Sequence, residues 1–116
     1  MTKIIYYTTT KGVNPVSDFL DSISSNQQSK LLRVVSYIEN YGLLSILPHV
    51  KKLTGTPFWE IRILGKDNLR VIYVSVQNDC VLLVHGFIKK TQKTSPRDIR
   101  IALIRYDDWI SRKNRT

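Results

Sequence analysis

The chain is poor in the residues from which rigid frameworks and reactive centres are usually built. Its single cysteine, Cys80, rules out an internal disulfide and any multi-cysteine zinc site. Inside the apolar run Cys80 to Val84, that thiol reads as a small buried hydrophobe. No His, Cys and carboxylate residues stand at metal-ligand spacing, no Gly-rich phosphate loop occurs, and no Ser-His-Asp set is suggested. Long apolar runs are missing too. The opening MTKIIYYTTTKG holds only four consecutive apolar or aromatic residues, which does not make a signal peptide, and no stretch is long enough to span a membrane. The expectation is a cytoplasmic protein with no membrane association, cofactor or metal.

Acidic residues are also scarce. Nine Asp and Glu face 18 Lys and Arg, a formal net charge of +9. The excess is lopsided: residues 1–50 hold only Lys3, Lys11, Lys30 and Arg33, which leaves 14 cations for residues 51–116. Such a surface suits a polyanion, most often nucleic acid. The remaining composition is ordinary. With 42% hydrophobic residues in a chain of 116, one domain over residues 1–116 can bury a core of its own.

The pattern of the chain predicts an α+β fold in the order β-α-α-β-β-β-α, with helices covering one face of a mostly antiparallel sheet. Alternation over Ile4 to Thr9 gives a first strand, ending at Lys11-Gly12. Asn14-Pro15 supplies an N-cap and a helix-starting proline, followed by Val16, Phe19, Leu20 and Ile23 at helical spacing. A second helix carries Leu31, Val34, Val35, Ile38 and Tyr41 on one face and stops at Gly42. Residues 43–57 read as a surface loop. Three strands follow, FWEIRIL (58–64), LRVIYVSV (69–76) and CVLLVHGFIKK (80–90), joined by turns at 65–68 and 77–79. Ser95-Pro96-Arg97-Asp98 then opens a last helix with Ile99, Ala102, Leu103, Tyr106 and Ile110 on its apolar face, and the tail from Arg112 to Thr116 is expected to fray.

Within FWEIRIL the two-residue period sets Trp59, Ile61 and Ile63 against Phe58, Glu60, Arg62 and Leu64. Glu60 and Arg62 therefore share a face, and Arg70 at the start of the next strand falls near Arg62. The third strand delivers Lys89 and Lys90, with Lys93 beyond, so the strand ends converge on a cationic groove with Lys51 and Lys52 at its edge. Metal-free RNA cleavage needs a base for the 2′-hydroxyl, donors for the charge on the phosphorane and an acid for the 5′-oxygen. Arg62 and Arg70 suit the second role through their planar forks of donors. Lys89 or Lys90, crowded by cations, suits proton exchange. Glu60 suits either a base or an orienting group. His85, inside an apolar strand, fits a hydrogen-bonded core histidine better than a catalytic one, and Trp59 and Trp109 fit packing better than base stacking.

The segments KKLTGTPFWEIRI, LRVIYV and LLVHGFIKKTQKTSPRDI, followed by a basic helix, resemble the RelE/HigB-type toxins of bacterial type II toxin–antitoxin systems, in particular their phage-derived branch. The likeness covers nearly the whole chain. It implies a RelE-like fold and a ribosome-dependent, metal-independent endoribonuclease that cuts translated mRNA. It also implies a cognate antitoxin, a HigA-like helix-turn-helix protein, assembled with the toxin as a heterotetramer. By position, the resemblance carries the family's basic strand residues onto Arg62, Arg70, Lys89 and Lys90. This chain departs from some relatives in having Glu60 where they carry a lysine, and Tyr106, on an apolar helix face, is a poor match for their C-terminal tyrosine. The candidate catalytic set is Arg62, Arg70, Lys90 and Glu60, with Lys51, Lys52, Lys89, Lys93 and Arg97 as RNA-binding residues. Two other readings remain: a ParE-like toxin that inhibits DNA gyrase, and a basic nucleic-acid-binding module.

Overall fold

The computed structural model of the chain describes residues 2–63, 68–77 and 79–114. Five strands, β1 (Lys3–Tyr6), β2 (Val50–Lys52), β3 (Trp59–Ile63), β4 (Leu69–Val76) and β5 (Cys80–Ile88), form one sheet in the order β1-β5-β4-β3-β2. The pairs β2–β3, β3–β4 and β4–β5 are antiparallel, and β1 joins β5 in parallel. Three α-helices accompany them: α1 (Pro15–Ser22), α2 (Ser25–Tyr41) and α3 (Pro96–Lys113). The fold is α+β with a mostly antiparallel sheet, consistent with a RelE-like arrangement.

Each helix starts where its sequence provides an acceptor for otherwise unpaired N–H groups. The Asn14 side chain accepts from the Ser17 amide, Ser24 and Gln27 cap each other's backbone reciprocally, and Ser95 accepts from the Asp98 amide. Pro15 and Pro96 stand in the first turns of α1 and α3, where the missing N–H costs nothing. Helix α2 ends at Gly42, whose φ of +82° is open to glycine and strained for other residues.

The sheet is covered on both faces, not on one as the sequence predicted. Helices α1 and α2 pack Val16, Leu31, Val35 and Ile38 against Ile61, Ile63, Val71, Tyr73, Val81 and Leu83. On the opposite face, Ala102, Ile99, Tyr106 and Trp109 of α3 cover Phe58, Ile72, Val74, Leu82 and Val84. The reason is visible in β4 and β5, where consecutive residues from Val71 to Val74 and from Val81 to Val84 are all buried. A strand apolar on both sides needs two covers.

Three further expectations change. Residues 43–57 are not simply a loop: Leu43–His49 form a 3₁₀ helix, and Val50–Lys52 add a short edge strand to β3. Three residues are too few to show an alternation in sequence. Arg112 and Lys113 are the last residues of α3 and not a frayed tail. Cys80 is only half-buried, because it opens β5 at the sheet's end. The turn expected at 65–68 and the placement of Leu64 lie largely outside the described residues, as does Asn78 in the 77–79 turn.

One irregularity in β5 controls everything that follows. Ile72 pairs with His85 while Tyr73 pairs with Leu83, so Val84 is an extra residue, a β-bulge. Unbroken alternation from Leu82 and Val84 would send His85, Phe87 and Lys89 to the α1–α2 face. With the bulge, Val84, His85 and Phe87 all lie on the α3 face, and Gly86 turns toward α1. There the Phe19 ring lies so close that a Cβ on Gly86 would overlap it. Gly86→Ala is expected to lower stability by about 1–3 kcal/mol through this overpacking. The check is the urea midpoint at unchanged m-value; an unchanged midpoint would show that Phe19 swings aside freely.

Candidate functional site

The candidate residues gather on the α3 face of the sheet, beyond the N-terminal end of α3. Arg62 on β3 and Arg70 on β4 are direct cross-strand partners. Side chains opposite each other in an antiparallel pair share a face and lie close together, so two like charges are held side by side. Arg62 is exposed and Arg70 is buried.

What makes this arrangement tolerable is Glu60. Its side chain is fully buried, with Oε1 lying 3.3 Å from Arg70 Nε and 3.6 Å from Lys89 Nζ. The Thr94 hydroxyl donates to Oε2, and Arg70 donates from a terminal nitrogen to the Leu69 carbonyl at 2.9 Å. The Arg70–Glu60 contact rests on charge and not on an aligned hydrogen bond, since neither Glu60 Oε1 nor Arg70 Nε has a hydrogen-bond partner among the described residues. Burial pulls the Arg70 guanidinium below its ordinary range. Glu60 opposes that shift, and Arg62 adds to it. Arg70 stays cationic, because the starting value is so high. The Glu60 carboxylate is enclosed between two cations and a hydroxyl and is screened from solvent.

Lys89, Lys90 and Thr91 separate two neighbouring concavities and line both. The first, of about 590 Å³, is shared with Arg62, Asn68, Arg70 and Gln92. The second, of about 310 Å³, runs along the start of α3 and is lined by His85, Phe87, Lys93, Arg97 and Asp98 among others. Of the expected RNA-binding residues, Lys89, Lys93 and Arg97 thus reach this surface, and so does the expected catalytic Lys90. Lys51 lies opposite Glu60 on the edge strand β2, so it shares the face and stands at the rim. Lys52 does not. It pairs with Trp59, which belongs to the α1–α2 face, and its ammonium donates to the Thr56 and Phe58 carbonyls. Adjacent residues of a strand point to opposite faces, which is why Lys51 and Lys52 cannot act together.

His85 is a buried, hydrogen-bonded histidine, the setting the sequence favoured for it. It is buried, stacks on Phe87 with ring centroids 5.1 Å apart, and uses both ring nitrogens. Nε2 lies 2.8 Å from Asp98 Oδ1, and Nδ1 lies 3.3 Å from an Arg105 nitrogen that also donates to the Val84 carbonyl at 2.8 Å. Arginine has no acceptor, so Nδ1 accepts and Nε2–H donates, a neutral ring. Burial is the main cause that lowers the His85 pKa below its ordinary value; the Asp98 contact resists, and Arg105 and Arg97 reinforce. Asp98, Arg105, Thr94 and Phe87 are site residues the sequence reading did not single out. The one available signal was Gly86 inside an apolar strand, a mark of a bulge or close backbone approach. Among the described residues, no three His, Cys, Asp or Glu side chains gather as a metal site.

The family model described as phage derived protein Gp49-like (DUF891) matches residues 18–107, from within α1 to the later part of α3. No curated protein matches the chain.

Two outcomes are expected. Glu60→Gln leaves Arg70 and Lys89 without their anion and should cost about 3 kcal/mol or more of stability, measured by urea unfolding; an unchanged stability would mean that both cations rehydrate without cost. The second concerns pH. Because the His85 pKa is lowered in the folded protein, the unfolded chain binds the proton first, so stability is complete above the ordinary value of 6.5 and falls as pH drops through the folded pKa. Unfolding free energies measured between pH 7.5 and 5 should show this decline, and His85→Gln, which keeps a donor and an acceptor, should flatten it.

Proposed function

This chain belongs to the Gp49-like family of phage-derived proteins, a toxin-like family, and from that premise we propose that it is the toxin of a type II toxin–antitoxin pair. In this reading it is a HigB-like, ribosome-dependent endoribonuclease acting in the cytoplasm on translated mRNA. The observation that carries the reading is the pairing of Arg62 with Arg70 across β3 and β4, with Lys89 and Lys90 lining the same concavity. Glu60 pairs with Arg70 and leaves the exposed Arg62 fork without an anion among the described residues, and a phosphodiester is an anion of matching geometry.

In the cleavage step, the 2′-oxygen attacks phosphorus and the bond to the 5′-oxygen breaks. The 2′-hydroxyl loses a proton and the leaving oxygen gains one. Arg62, exposed and without an ion-pair partner among the described residues, reaches the non-bridging oxygens and stabilises the phosphorane. Arg70 supplies a second donor in a fixed direction, because Glu60 and the Leu69 carbonyl hold it. Lys90, exposed at the junction of the two concavities, is the amine assigned to proton exchange. Glu60 is a positioning residue and not the base. A site so thin in acid and base groups gains from an outside scaffold that aligns the RNA, which is the physical sense of dependence on the ribosome. The cationic face would be neutralised by an antitoxin, a HigA-like helix-turn-helix protein in a heterotetramer, through complementary charge.

Burial decides the choice of variants. Arg70→Ala would leave Glu60 buried beside one cation fewer, so lost activity could reflect lost folding. Arg62→Ala and Lys90→Ala alter exposed side chains and should leave the fold intact. On induction in bacteria, primer extension should reveal new mRNA 5′ ends within translated codons for the wild type. Arg62→Ala should reduce them by roughly 10²-fold, the scale for loss of one transition-state donor. Growth arrest without such ends would overturn the reading in favour of gyrase inhibition. Neither arrest nor cuts would favour a binding module.

A further inference from the structure

We propose that the concavity at the start of α3 is a pocket for one unstacked nucleobase, adjacent to the arginine pair and separate from it; the inference rests on the reading that the groove holds RNA. The pocket, about 310 Å³, has apolar walls from Phe87 and Ile101. Phe87 is held in place by stacking with His85, interplanar angle 14°. That volume is ample for a nucleobase. A π-face and an aliphatic wall are what a base needs once it leaves its neighbours.

Charge distinguishes this pocket from an ordinary apolar hollow. Lys90, Lys93 and Arg97 ring it, all exposed, and none has an ion-pair partner among the described residues. Three such cations around one small opening suit the phosphates on either side of an inserted nucleotide. At the floor lies Asp98, whose carboxylate takes a hydrogen from His85 on Oδ1 and from the Ser95 hydroxyl on Oδ2. Each oxygen keeps a second lone pair. The floor therefore offers acceptors for the amino or imino hydrogens of a base. Shared use of Lys89, Lys90 and Thr91 by both concavities places the pocketed base next to the phosphate held by Arg62 and Arg70. The pocket thus contacts the base, which a pair of arginines on the phosphate does not.

Binding without cleavage provides the test. The full chain is titrated with fluorescently labelled, fully 2′-O-methylated RNA hexamers, which cannot be cut, and a single abasic nucleotide is moved along the sequence. One position should raise Kd by at least about fivefold, the size of one lost base stack. Ile101→Trp, which fills the pocket from α3, should abolish the positional penalty while thermal unfolding shows the fold retained. Arg62→Ala should weaken every hexamer and keep the penalty. A penalty spread evenly over all positions would overturn the pocket while leaving the cleavage reading intact. Failure to bind any hexamer, with an acidic peptide bound instead, would overturn the pocket and make this face a protein-docking surface; mapped mRNA cuts in cells decide the cleavage reading separately.

Discussion

The buried carboxylate of Glu60 is the constraint on which the cationic face depends. From one side chain it contacts Arg70 of β4, Lys89 at the end of β5 and Thr94 in the segment leading to α3. Without an anion there, two cations, Arg70 and Lys89, would converge at the end of a sheet where water is excluded on one side. Coulomb repulsion at that range is several times its value in water. With Glu60 in place, Arg70 and Lys89 become fixed while Arg62 and Lys90 remain exposed. A buried ion pair of this kind adds little net stability, since desolvation offsets attraction. What it gives is a single geometry for the groups around it.

The bulge at Val84 is the second device, and the two work together. Only because the strand slips by one residue does Lys89 come to the face where Glu60 waits. The same slip brings His85 to Asp98 and Arg105, so α3 is pinned to β5 by a neutral imidazole hydrogen-bonded on both sides. Gly86 is the counterpart on the other face, where the strand passes too near Phe19 for any side chain. Packing against α1, the tether to α3 and the composition of the groove are consequences of one extra residue.

Function and stability divide the polar residues here along the line of burial. Glu60, Arg70 and His85 are buried in ion-pair or hydrogen-bond contacts, and changing any of them perturbs folding as well as the groove. Arg62, Lys90, Lys93 and Arg97 are exposed, and they are the groups a polyanion can reach. Family membership accounts for a toxin-like protein; the exposed set is what the proposed RNA chemistry would use.

Much of the fold was legible in the sequence because local physics decides it. Asn14-Pro15, Ser24 and Ser95-Pro96 mark the helix starts, Gly42 marks an end, and period-two alternation in FWEIRI places Glu60 and Arg62 on one face. The adjacency of Arg62 and Arg70 follows from a short hairpin. Other features required the tertiary structure. That both faces of the sheet are covered depends on which way α3 returns. That Lys51 and Lys52 point apart depends on a three-residue edge strand too short to show a pattern. Above all, the face of His85, Phe87 and Lys89 depends on the bulge, a shift in the pairing of β5 with β4. Alternation is a local rule, and a register shift is a long-range event. The sequence by itself determined which cations the chain carries and near which strand ends; only the folded sheet decided which are locked around Glu60 and which are left to meet an anion.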